Sequence, residues 1–311
     1  MKLAFLYAGQ GSQKEYMGKD FYESYPEIRP RFDSPRAGFD IKEICFSPGE
    51  ERLSNTMYTQ ACMAAFAAAV TDLLAASGIV PDYAAGLSLG EYSALYCSGV
   101  FDADTLIELL AYRGKVMAET TADVPCAMYA VLGLSEELVT RAADEAARAT
   151  GKVAACANFN CPGQIVIGGE TSAVETAAAL CKEYGSRRIM PLNVSGPFHT
   201  PLMEEASGLL WERFKTVKFS EMKIPVVFNC TADLSDDADI PDLLRRQVKS
   251  PVLFEKSVRR LEALGVDTVV EIGPGKVISG FVKKTAPEIT VYSIEDIDSF
   301  KNTALILGCV R

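Results

Sequence analysis

Ser88 has the sequence context of a catalytic nucleophile. It lies in Gly86-Leu87-Ser88-Leu89-Gly90, a G-x-S-x-G pattern that follows the strand-like run 83–87 and precedes the helical stretch 91–98. In such a strand–turn–helix the glycines remove steric obstacles, and the hydroxyl lies at a helix N-terminus whose N–H groups stabilise an oxyanion. A tight glycine turn with a capping serine gives the same short pattern, so the interpretation needs a second residue.

His199 is the only histidine in the chain, and only it can supply the imidazole base that a serine nucleophile needs. It lies in the proline-flanked segment 195–201. A lone histidine is more often incidental than catalytic, but this segment leads from one predicted domain back to another, where a cleft is expected. Together, Ser88 and His199 predict nucleophilic catalysis through the serine hydroxyl.

The elements that must position these residues follow two patterns. Over the first third of the chain, strand-like runs at 3–7 and 83–87 alternate with a helical run at 59–77. Such alternation predicts an α/β domain built on a parallel sheet. The same pattern resumes later in the chain, with a strand-like run at 224–229, a helix at 251–264 and a strand at 268–272.

Between these two parts the pattern is that of a small α+β domain. The order strand, helix, strand, strand, helix, strand occupies residues 126–133, 135–150, 153–157, 164–168, 172–184 and 188–194. This βαββαβ order is the ferredoxin-like arrangement. The sequence therefore predicts a discontinuous large α/β domain, residues 1–124 and 195–311, with a ferredoxin-like domain of residues 125–194 inserted in it.

Composition narrows the class of protein. The 311 residues are 49% hydrophobic and 23% charged with a formal net charge of −10, which is typical of a globular protein and argues against nucleic-acid binding. Nine cysteines without a C-x-x-C pair predict reduced thiols in the cytoplasm and, with one histidine, no metal site. The longest apolar stretch, 61–70, is too short to span a bilayer and predicts a buried helix. The N-terminus predicts a buried strand rather than a signal peptide, so we expect no membrane association.

Further motifs are spread along the chain in a fixed order. They are Gly9-Gln10-Gly11-Ser12-Gln13, the Ser88 pentapeptide followed by Glu91-Tyr92, Tyr112-Arg113-Gly114-Lys115, Asn158-Phe159-Asn160-Cys161-Pro162-Gly163-Gln164, Pro197-Phe198-His199, Gln247 ahead of Ser250-Pro251-Val252, and Glu271-Ile272-Gly273-Pro274-Gly275-Lys276. Over residues 3–284 the chain thereby resembles the malonyl-CoA:acyl carrier protein transacylase family. The resemblance implies a hydrolase-like α/β domain with a ferredoxin-like insertion, in agreement with the patterns above.

The resemblance also implies catalytic roles. Ser88 attacks the malonyl thioester and carries the acyl group as an ester, while His199 takes the serine proton and later activates the incoming thiol. The backbone carbonyl of Gln247 orients the histidine. The oxyanion is expected between the backbone N–H groups of Gln10 and Leu89.

Three further residues are implied to bind the substrate. Arg113 would pair with the free carboxylate of malonate, because a guanidinium offers two parallel donors; without the resemblance it would be interpreted as a solvated helix arginine. The bulky Phe198 before the histidine favours malonyl over methylmalonyl, and Asn158 is assigned to the same substrate site. The chain departs from the family at Leu87, where members usually carry histidine.

The predicted function is transfer of malonyl from malonyl-CoA to the phosphopantetheine thiol of holo acyl carrier protein, in fatty acid biosynthesis. Coenzyme A is then part of the substrate, and no metal or organic cofactor is expected. A serine esterase or thioesterase, a polyketide-dedicated trans-acting acyltransferase and a non-catalytic carrier-protein scaffold are the alternatives. Because acyl carrier proteins are acidic and this chain has a net charge of −10, docking would need a local basic patch.

Overall fold

The computed structural model describes residues 1–194 and 196–310. Ser195, where the sequence places the start of the second part of the large domain, and Arg311 lie outside the described residues. The strands of the described part are β1 (Leu3–Tyr7), β2 (Tyr83–Gly86), β3 (Cys126–Leu132), β4 (Ala154–Cys161), β5 (Gln164–Glu170), β6 (Arg188–Pro191), β7 (Val226–Val227), β8 (Thr268–Ile272) and β9 (Thr290–Ile294). Its helices are α1 (Lys19–Ser24), α2 (Arg29–Phe32), α3 (Ile41–Phe46), α4 (Thr56–Ala76), α5 (Gly90–Cys97), α6 (Ala103–Glu119), α7 (Glu136–Thr150), α8 (Thr171–Glu183), α9 (Glu204–Phe214), α10 (Ile240–Gln247), α11 (Phe254–Ala263), α12 (Val277–Thr285) and α13 (Ile297–Val310). Short 3-10 turns lie at Pro26–Ile28, Pro35–Ala37, Glu51–Ser54, Pro201–Met203 and Asp237–Asp239.

The first sheet is parallel and has β1 at its centre. Its strand order is β7-β2-β1-β8-β9. Every residue of β1 and β8 is buried. Alternate residues of β1 belong to different apolar clusters, Phe5 to one and Leu6 to the other, because both faces of the sheet are covered. Strands from late in the chain thus complete a sheet begun at residue 3, as the α/β pattern predicted.

Strand β7 is shorter than the sequence predicted. Only Val226–Val227 pairs with β2, whereas the strand-like run covers 224–229. The next two backbone N–H groups have other acceptors: that of Phe228 donates within its own turn, and that of Asn229 donates to the carboxylate of Glu91. The ladder stops there because the donors that would continue it are already used.

Other elements also differ from the prediction at their ends, and β4 runs to Cys161 rather than to residue 157. Helix α11 begins at Phe254 rather than at residue 251, because the N–H of Val252 donates to the carbonyl of Ala157 at 2.9 Å and joins this segment to β4. Strand β6 ends at Pro191 rather than at residue 194. The core of each element is where the sequence placed it.

The second sheet is antiparallel and has the ferredoxin-like order. Its strands lie in the order β4-β5-β3-β6, which is second, third, first and fourth strand of the βαββαβ unit. Helices α7 and α8 pack on one face through a cluster that includes Val131 and Ile167, whereas Ala130 and Val166 belong to the main apolar core. The predicted fold class is confirmed. The boundaries after residues 124 and 194 stay predictions.

Helix α4 is buried on nearly all sides in the core. Apolar residues occur around most of its circumference, which is typical of a helix that its neighbours cover on nearly every side. Within the described part of the chain it is the one helix long and apolar enough to cross a membrane by length and composition, and 83% of its most apolar window is buried inside the protein. The buried helix predicted from stretch 61–70 is confirmed, although it extends beyond that stretch at both ends.

Candidate active site

The loop between β2 and α5 holds Ser88 in a sharp turn. Ser88 has a φ of 57°, a left-handed conformation that is uncommon for a residue with a side chain and is concentrated at functional sites. The flanking glycines are required sterically. A Cβ at Gly86 would lie 2.0 Å from the carbonyl carbon of Gly90, and a Cβ at Gly90 would lie 2.3 Å from the carbonyl oxygen of Tyr7. The structure therefore has the strand–turn–helix geometry that the G-x-S-x-G spacing predicts.

The imidazole of His199 lies against the hydroxyl of Ser88. Its Nε2 is 2.7 Å from Ser88 Oγ, and its Nδ1 is 2.9 Å from the backbone carbonyl oxygen of Gln247. Because a carbonyl oxygen only accepts, Nδ1 carries the proton, and the neutral ring accepts the serine proton at Nε2. The structure thus brings together in one hydrogen-bonded line the three residues that the sequence suggested for catalysis.

Beneath Ser88 lies a group of buried polar side chains, Gln60, Arg113 and Gln247, which we call the polar floor. Each is at most 1% exposed. Arg113 donates from Nη1 to Gln60 Oε1 at 2.7 Å and from Nη2 to Gln247 Oε1 at 2.9 Å; Nη2 is also 3.2 Å from Ser88 Oγ. The guanidinium lies 5.5 Å from the ring centre of Tyr92, and its Nε has no acceptor among the described residues. Arg113 is therefore a buried cation whose described hydrogen-bond acceptors are all neutral.

The backbone of Ser88 is held by side chains from two distant segments. Its N–H donates to Asn229 Oδ1 at 2.8 Å, and its carbonyl accepts from Gln247 Nε2 at 2.7 Å. Asn229 also donates from Nδ2 to the carbonyl of Gly86 at 2.6 Å. Its own N–H donates to Glu91, which is in the first turn of α5.

A cavity of about 230 Å³ is lined by Ser88 and His199 but by none of the three residues of the polar floor. Ser88 and Gln10 line it from the first sheet's half of the protein, and Met128, Asn158 and Val166 line it from the second sheet. Most of its wall is apolar. The site therefore lies in the expected cleft between the two halves.

The other predicted residues surround this cavity. Gln10, in the loop after β1, lines it together with Asn158 and Phe198. The side chain of Leu89 is buried, but its backbone N–H is at the start of α5 beside the nucleophile. In the part of the chain that the structure describes, neither the N–H of Gln10 nor that of Leu89 has a hydrogen-bond acceptor. Both donors are thus available to a developing oxyanion.

Sequence reasoning missed three polar residues of the site. Gln60 directly precedes the apolar stretch 61–70, which predicts that its side-chain amide is buried. A buried amide needs a hydrogen-bond partner, and that need was the signal for it. Asn229 follows the carboxyl end of a parallel strand, the edge where α/β sheets place their sites. Asn160 lines the cavity, is 7% exposed, and has an Oδ1 without a partner among the described residues. Asn160 lies two residues after Asn158, and residues with that spacing in a strand point to the same face. This spacing was the sequence signal for Asn160.

Burial shifts the pKa values of the titratable groups here. Burial, and secondly the charge of Arg113, lower the pKa of His199 to about 4, so the imidazole is neutral at pH 7 and ready to accept a proton. Burial raises the pKa of Glu91 to about 8, opposed by the N–H of Asn229 and by the charge of Arg113. Burial also lowers the pKa of Arg113 from its usual value, but a guanidinium remains protonated.

The chemistry available at this site is that of a hydroxyl, a neutral imidazole, a guanidinium and backbone N–H donors. These groups perform nucleophilic attack, proton transfer and the binding of anions. Among the described residues, no group of three or more His, Cys, Asp or Glu side chains is placed to hold a metal ion. That the reaction needs no metal or organic cofactor stays a prediction.

Comparison with known proteins establishes the class. Residues 4–304 match the family model of the acyl transferase domain. The malonyl CoA-acyl carrier protein transacylase of Bacillus subtilis (strain 168) is 39% identical over 303 residues, which are 96% of this chain and 95% of the relative. The chain is therefore an acyltransferase.

Solved structures agree with this assignment. MCAT from Streptococcus pneumoniae is 42% identical with a TM-score of 0.93, over 98% of this chain and 100% of that one. The malonyl-transacylase PlMCAT, solved in complex with its type II PKS acyl-carrier protein AntF, is 34% identical with a TM-score of 0.94, again over 98% of this chain and 100% of the other. The chain belongs to the malonyl CoA-acyl carrier protein transacylase family.

Proposed function

We propose that this protein moves malonyl from malonyl-CoA to the phosphopantetheine thiol of holo acyl carrier protein, in fatty acid biosynthesis, by a ping-pong mechanism through an ester on Ser88. The observation that carries the proposal is the position of Ser88 Oγ, 2.7 Å from His199 Nε2 and 3.2 Å from Arg113 Nη2. The first neighbour takes a proton, and the second is a buried cation suited to a carboxylate. The names of the related transacylases supply the donor and the acceptor.

In the first half-reaction, Ser88 Oγ attacks the thioester carbonyl while its proton moves to His199 Nε2. A bond forms between Oγ and the carbonyl carbon, and negative charge develops on the carbonyl oxygen, where the N–H groups of Gln10 and Leu89 stabilise it. The C–S bond then breaks, and coenzyme A leaves as a thiol with the proton that His199 held. The malonyl ester remains on Ser88.

In the second half-reaction, the phosphopantetheine thiol gives its proton to His199 and its sulfur attacks the ester carbonyl. The C–O bond to Ser88 breaks, the serine oxygen regains the proton from His199, and the malonyl thioester leaves on the carrier protein. The overall reaction exchanges one thioester for another. Hydrolysis of the ester on Ser88 is the main competing reaction. The apolar wall, which includes Met128 and Val166, supports exclusion of water from it.

Selectivity for malonyl comes, in this proposal, from Arg113. Its Nη1 and Nη2 donate to the neutral oxygens of Gln60 and Gln247, and its Nε has no acceptor in the described part of the chain. A malonyl carboxylate would exchange a neutral acceptor for a charged one, and such charge-assisted bonds are the stronger. Arg113 does not line the cavity, but its Nη2 is 3.2 Å from the Oγ of Ser88, which does. A carboxylate bound to Arg113 would therefore hold the reacting carbonyl beside Oγ.

The size limit on the acyl group comes from Phe198. Its ring lines the cavity and is 7% exposed. A Cβ at Gly196 would lie 2.6 Å from this ring, so the backbone packs directly on it and limits its movement. A methyl branch on malonyl would meet the ring, which is worth about 1–3 kcal/mol of discrimination.

Positive charge on helix α12 supports an acidic carrier protein as the acceptor. This helix lines the cavity through Ile278 and Phe281, and its last turn carries Lys283 and Lys284. Within the described residues neither lysine forms an ion pair with a carboxylate, whereas the chain as a whole has a net charge of −10. A local positive surface of this kind is what an acidic partner requires.

Mass spectrometry of the intact protein tests the proposal, after brief incubation with malonyl-CoA, acid quench and peptide mapping. The expected result is a single malonyl adduct on Ser88 that disappears when holo acyl carrier protein is added. Accumulation of free malonate without an adduct would indicate a thioesterase instead.

The pathway is tested by comparing carrier proteins in the same discharge assay. PlMCAT was solved with a type II PKS acyl-carrier protein, so carriers of both pathways are appropriate acceptors. We expect the carrier protein of fatty acid synthesis to discharge the adduct faster. Faster discharge by the polyketide carrier would assign the chain to polyketide assembly.

A further inference from the structure

We propose that Asn229 is a positioning residue for the nucleophile: its side chain holds the backbone of Ser88 in the left-handed conformation that directs the hydroxyl to His199. This rests on the proposed function only in taking Ser88 as the nucleophile. It does not depend on which acyl group is transferred or on the acceptor.

The side chain of Asn229 continues the sheet ladder past the end of β7. Its Oδ1 accepts from the N–H of Ser88 at 2.8 Å, and its Nδ2 donates to the carbonyl of Gly86 at 2.6 Å. One acceptor and one donor placed two residues apart are what a neighbouring strand would offer to β2. The asparagine is 0% exposed, so water does not compete for these bonds.

Asn229 is itself held in place through its backbone. Its N–H donates to Glu91 Oε2, and its carbonyl accepts from the N–H of Leu253 at 2.9 Å. Glu91 follows Ser88 in the same strand–turn–helix. This segment therefore holds Asn229 through Glu91, and Asn229 in turn holds the backbone of Ser88. All four polar groups of Asn229 are thereby bonded.

This support matters because the conformation of Ser88 is intrinsically unfavourable. A non-glycine residue with a φ of 57° persists where its surroundings determine it. Gln247 holds the carbonyl of Ser88 but also accepts from Arg113, so it serves the polar floor as well. Asn229 has no hydrogen bond to His199 or Arg113 and does not line the cavity. Its side-chain hydrogen bonds therefore act on the site through Ser88 and its turn.

Asn229→Ala is the first test, because it removes both side-chain bonds to the turn. We expect kcat to fall about 100-fold, the effect of displacing a reacting atom by about 1 Å, while KM for malonyl-CoA changes by less than about threefold. A fluorophosphonate probe, from which Ser88 Oγ displaces fluoride, should label the variant more slowly by a similar factor. That probe reports on the nucleophile without malonyl-CoA.

Asn229→Asp gives a readout that a general loss of stability would not produce. The introduced carboxyl has the shape of the amide: when protonated it accepts from Ser88 and donates to Gly86, and when ionised it opposes the Gly86 carbonyl oxygen. Burial and the nearby Glu91 raise the pKa of such a carboxyl. The labelling rate relative to wild type should therefore recover as the pH is lowered from about 8.5 to about 6.

Of the other groups near this position, Glu91 has a pKa of about 8 and titrates in this range, whereas His199, with a pKa of about 4, stays neutral. Burial keeps Cys230 protonated as a thiol, and Arg113 is a fixed charge. The ratio at each pH removes the pH dependence that wild type shows through Glu91, while the repulsion between Glu91 and the introduced carboxylate remains in the ratio and adds to the expected loss at high pH.

Ser207→Ala is the matched control. Ser207 is 0% exposed in α9, and its hydroxyl donates to the carbonyl of Arg245 at 2.8 Å, outside the nucleophile turn. We expect this change to lower Tm without slowing the labelling of Ser88.

Two results would overturn the proposal. One is an Asn229→Ala labelling rate within about threefold of wild type for the folded protein. The other is an Asn229→Asp ratio that does not change with pH; this second measurement decides the matter where the alanine variant fails to fold. A wild-type protein that reacts with the probe but forms no malonyl adduct would contradict the proposed function. The labelling rates of the Asn229 variants would then still decide this inference.

Discussion

The two sides of Ser88 differ in construction. Below the hydroxyl, the polar floor is closed to solvent, and Arg113 is hydrogen-bonded on both terminal nitrogens to amide oxygens of Gln60 and Gln247. Above it, the cavity of about 230 Å³ is open, and its wall is mostly apolar. The fixed charge is thus placed where water is excluded, and the free space lies where the proposed function needs room for the acyl donor and acceptor.

This difference separates two kinds of selectivity. In a buried site a guanidinium–carboxylate bond is strong and demands one geometry. Apolar contacts in an open cavity discriminate weakly between acyl groups that differ by one methyl. Substitutions in the polar floor should therefore change rate and charge selectivity strongly, and substitutions in the cavity wall should change size selectivity modestly.

The largest effect is expected at the residue that lies between the two sides. Ser88→Ala removes the oxygen that would carry the acyl group, so the malonyl adduct should vanish and transfer should fall about 10⁴-fold or more. Intact-protein mass spectrometry and the transfer assay measure this, and Ser207→Ala should retain the adduct. An adduct on the Ser88→Ala protein would show that another residue is the nucleophile.

The next effect concerns the polar floor. Arg113→Ala should lower kcat/KM for malonyl-CoA about 100-fold, since truncating one partner of a buried charge pair costs about 2–5 kcal/mol. The value for acetyl-CoA, which has no carboxylate, should fall much less. Arg113→Lys keeps the charge without the two parallel donors and should lie between alanine and wild type. A malonyl-to-acetyl ratio that is the same in Arg113→Ala and wild type would contradict the role of the floor.

A smaller effect is expected in the cavity wall. Phe198→Ala should raise kcat/KM for methylmalonyl-CoA relative to malonyl-CoA by about tenfold, because the methyl branch no longer meets the ring. Arg113→Ala should leave this ratio nearly unchanged, since both substrates carry the carboxylate. If Arg113→Ala changed the ratio as much as Phe198→Ala, the two kinds of selectivity would not be separable.

The smallest expected effect is a shift in the pH dependence of kcat/KM, because the charge of Arg113 acts on the pKa of His199. With the pKa of His199 lowered to about 4, kcat/KM should stay level as the pH falls from 7 to about 5, whereas an ordinary histidine would lose activity near 6.5. Arg113→Ala should move this limb to higher pH, because removing a positive charge favours the imidazolium. NMR titration of the only histidine measures its pKa directly in both proteins. Equal values would show that the charge of Arg113 does not act on His199.

The local order of the fold could be predicted because each element depends on residues that are neighbours in the chain. Strands β1 and β8 cover the residues that the apolar runs predicted, and the βαββαβ order follows from the succession of runs between residues 126 and 191. The turn at Ser88 could be predicted for the same reason. Its steric requirement is met by the glycines at either side.

The ends of several elements could not be predicted because distant partners determine them. Strand β7 stops where Asn229 donates to Glu91, and α11 begins late because Val252 donates to Ala157. Neither acceptor is near its donor in sequence. An apolar run shows where a strand or helix can form, but not which of its N–H groups another segment will take.

The members of the site divide in the same way. Ser88 and His199 were recognisable from a local motif and from the single histidine, and the family resemblance pointed to the other predicted residues. Gln60 and Asn229 carried only positional signals, an amide ahead of an apolar stretch and a residue after a strand. Those signals could not name their partners, Arg113 and Ser88, which lie 53 and 141 residues away in the chain. The sequence by itself determined the order of the elements and marked Ser88 as the candidate nucleophile. Only the tertiary structure decided which buried polar groups surround that nucleophile, because packing between distant segments selects the hydrogen-bond partner of each buried group.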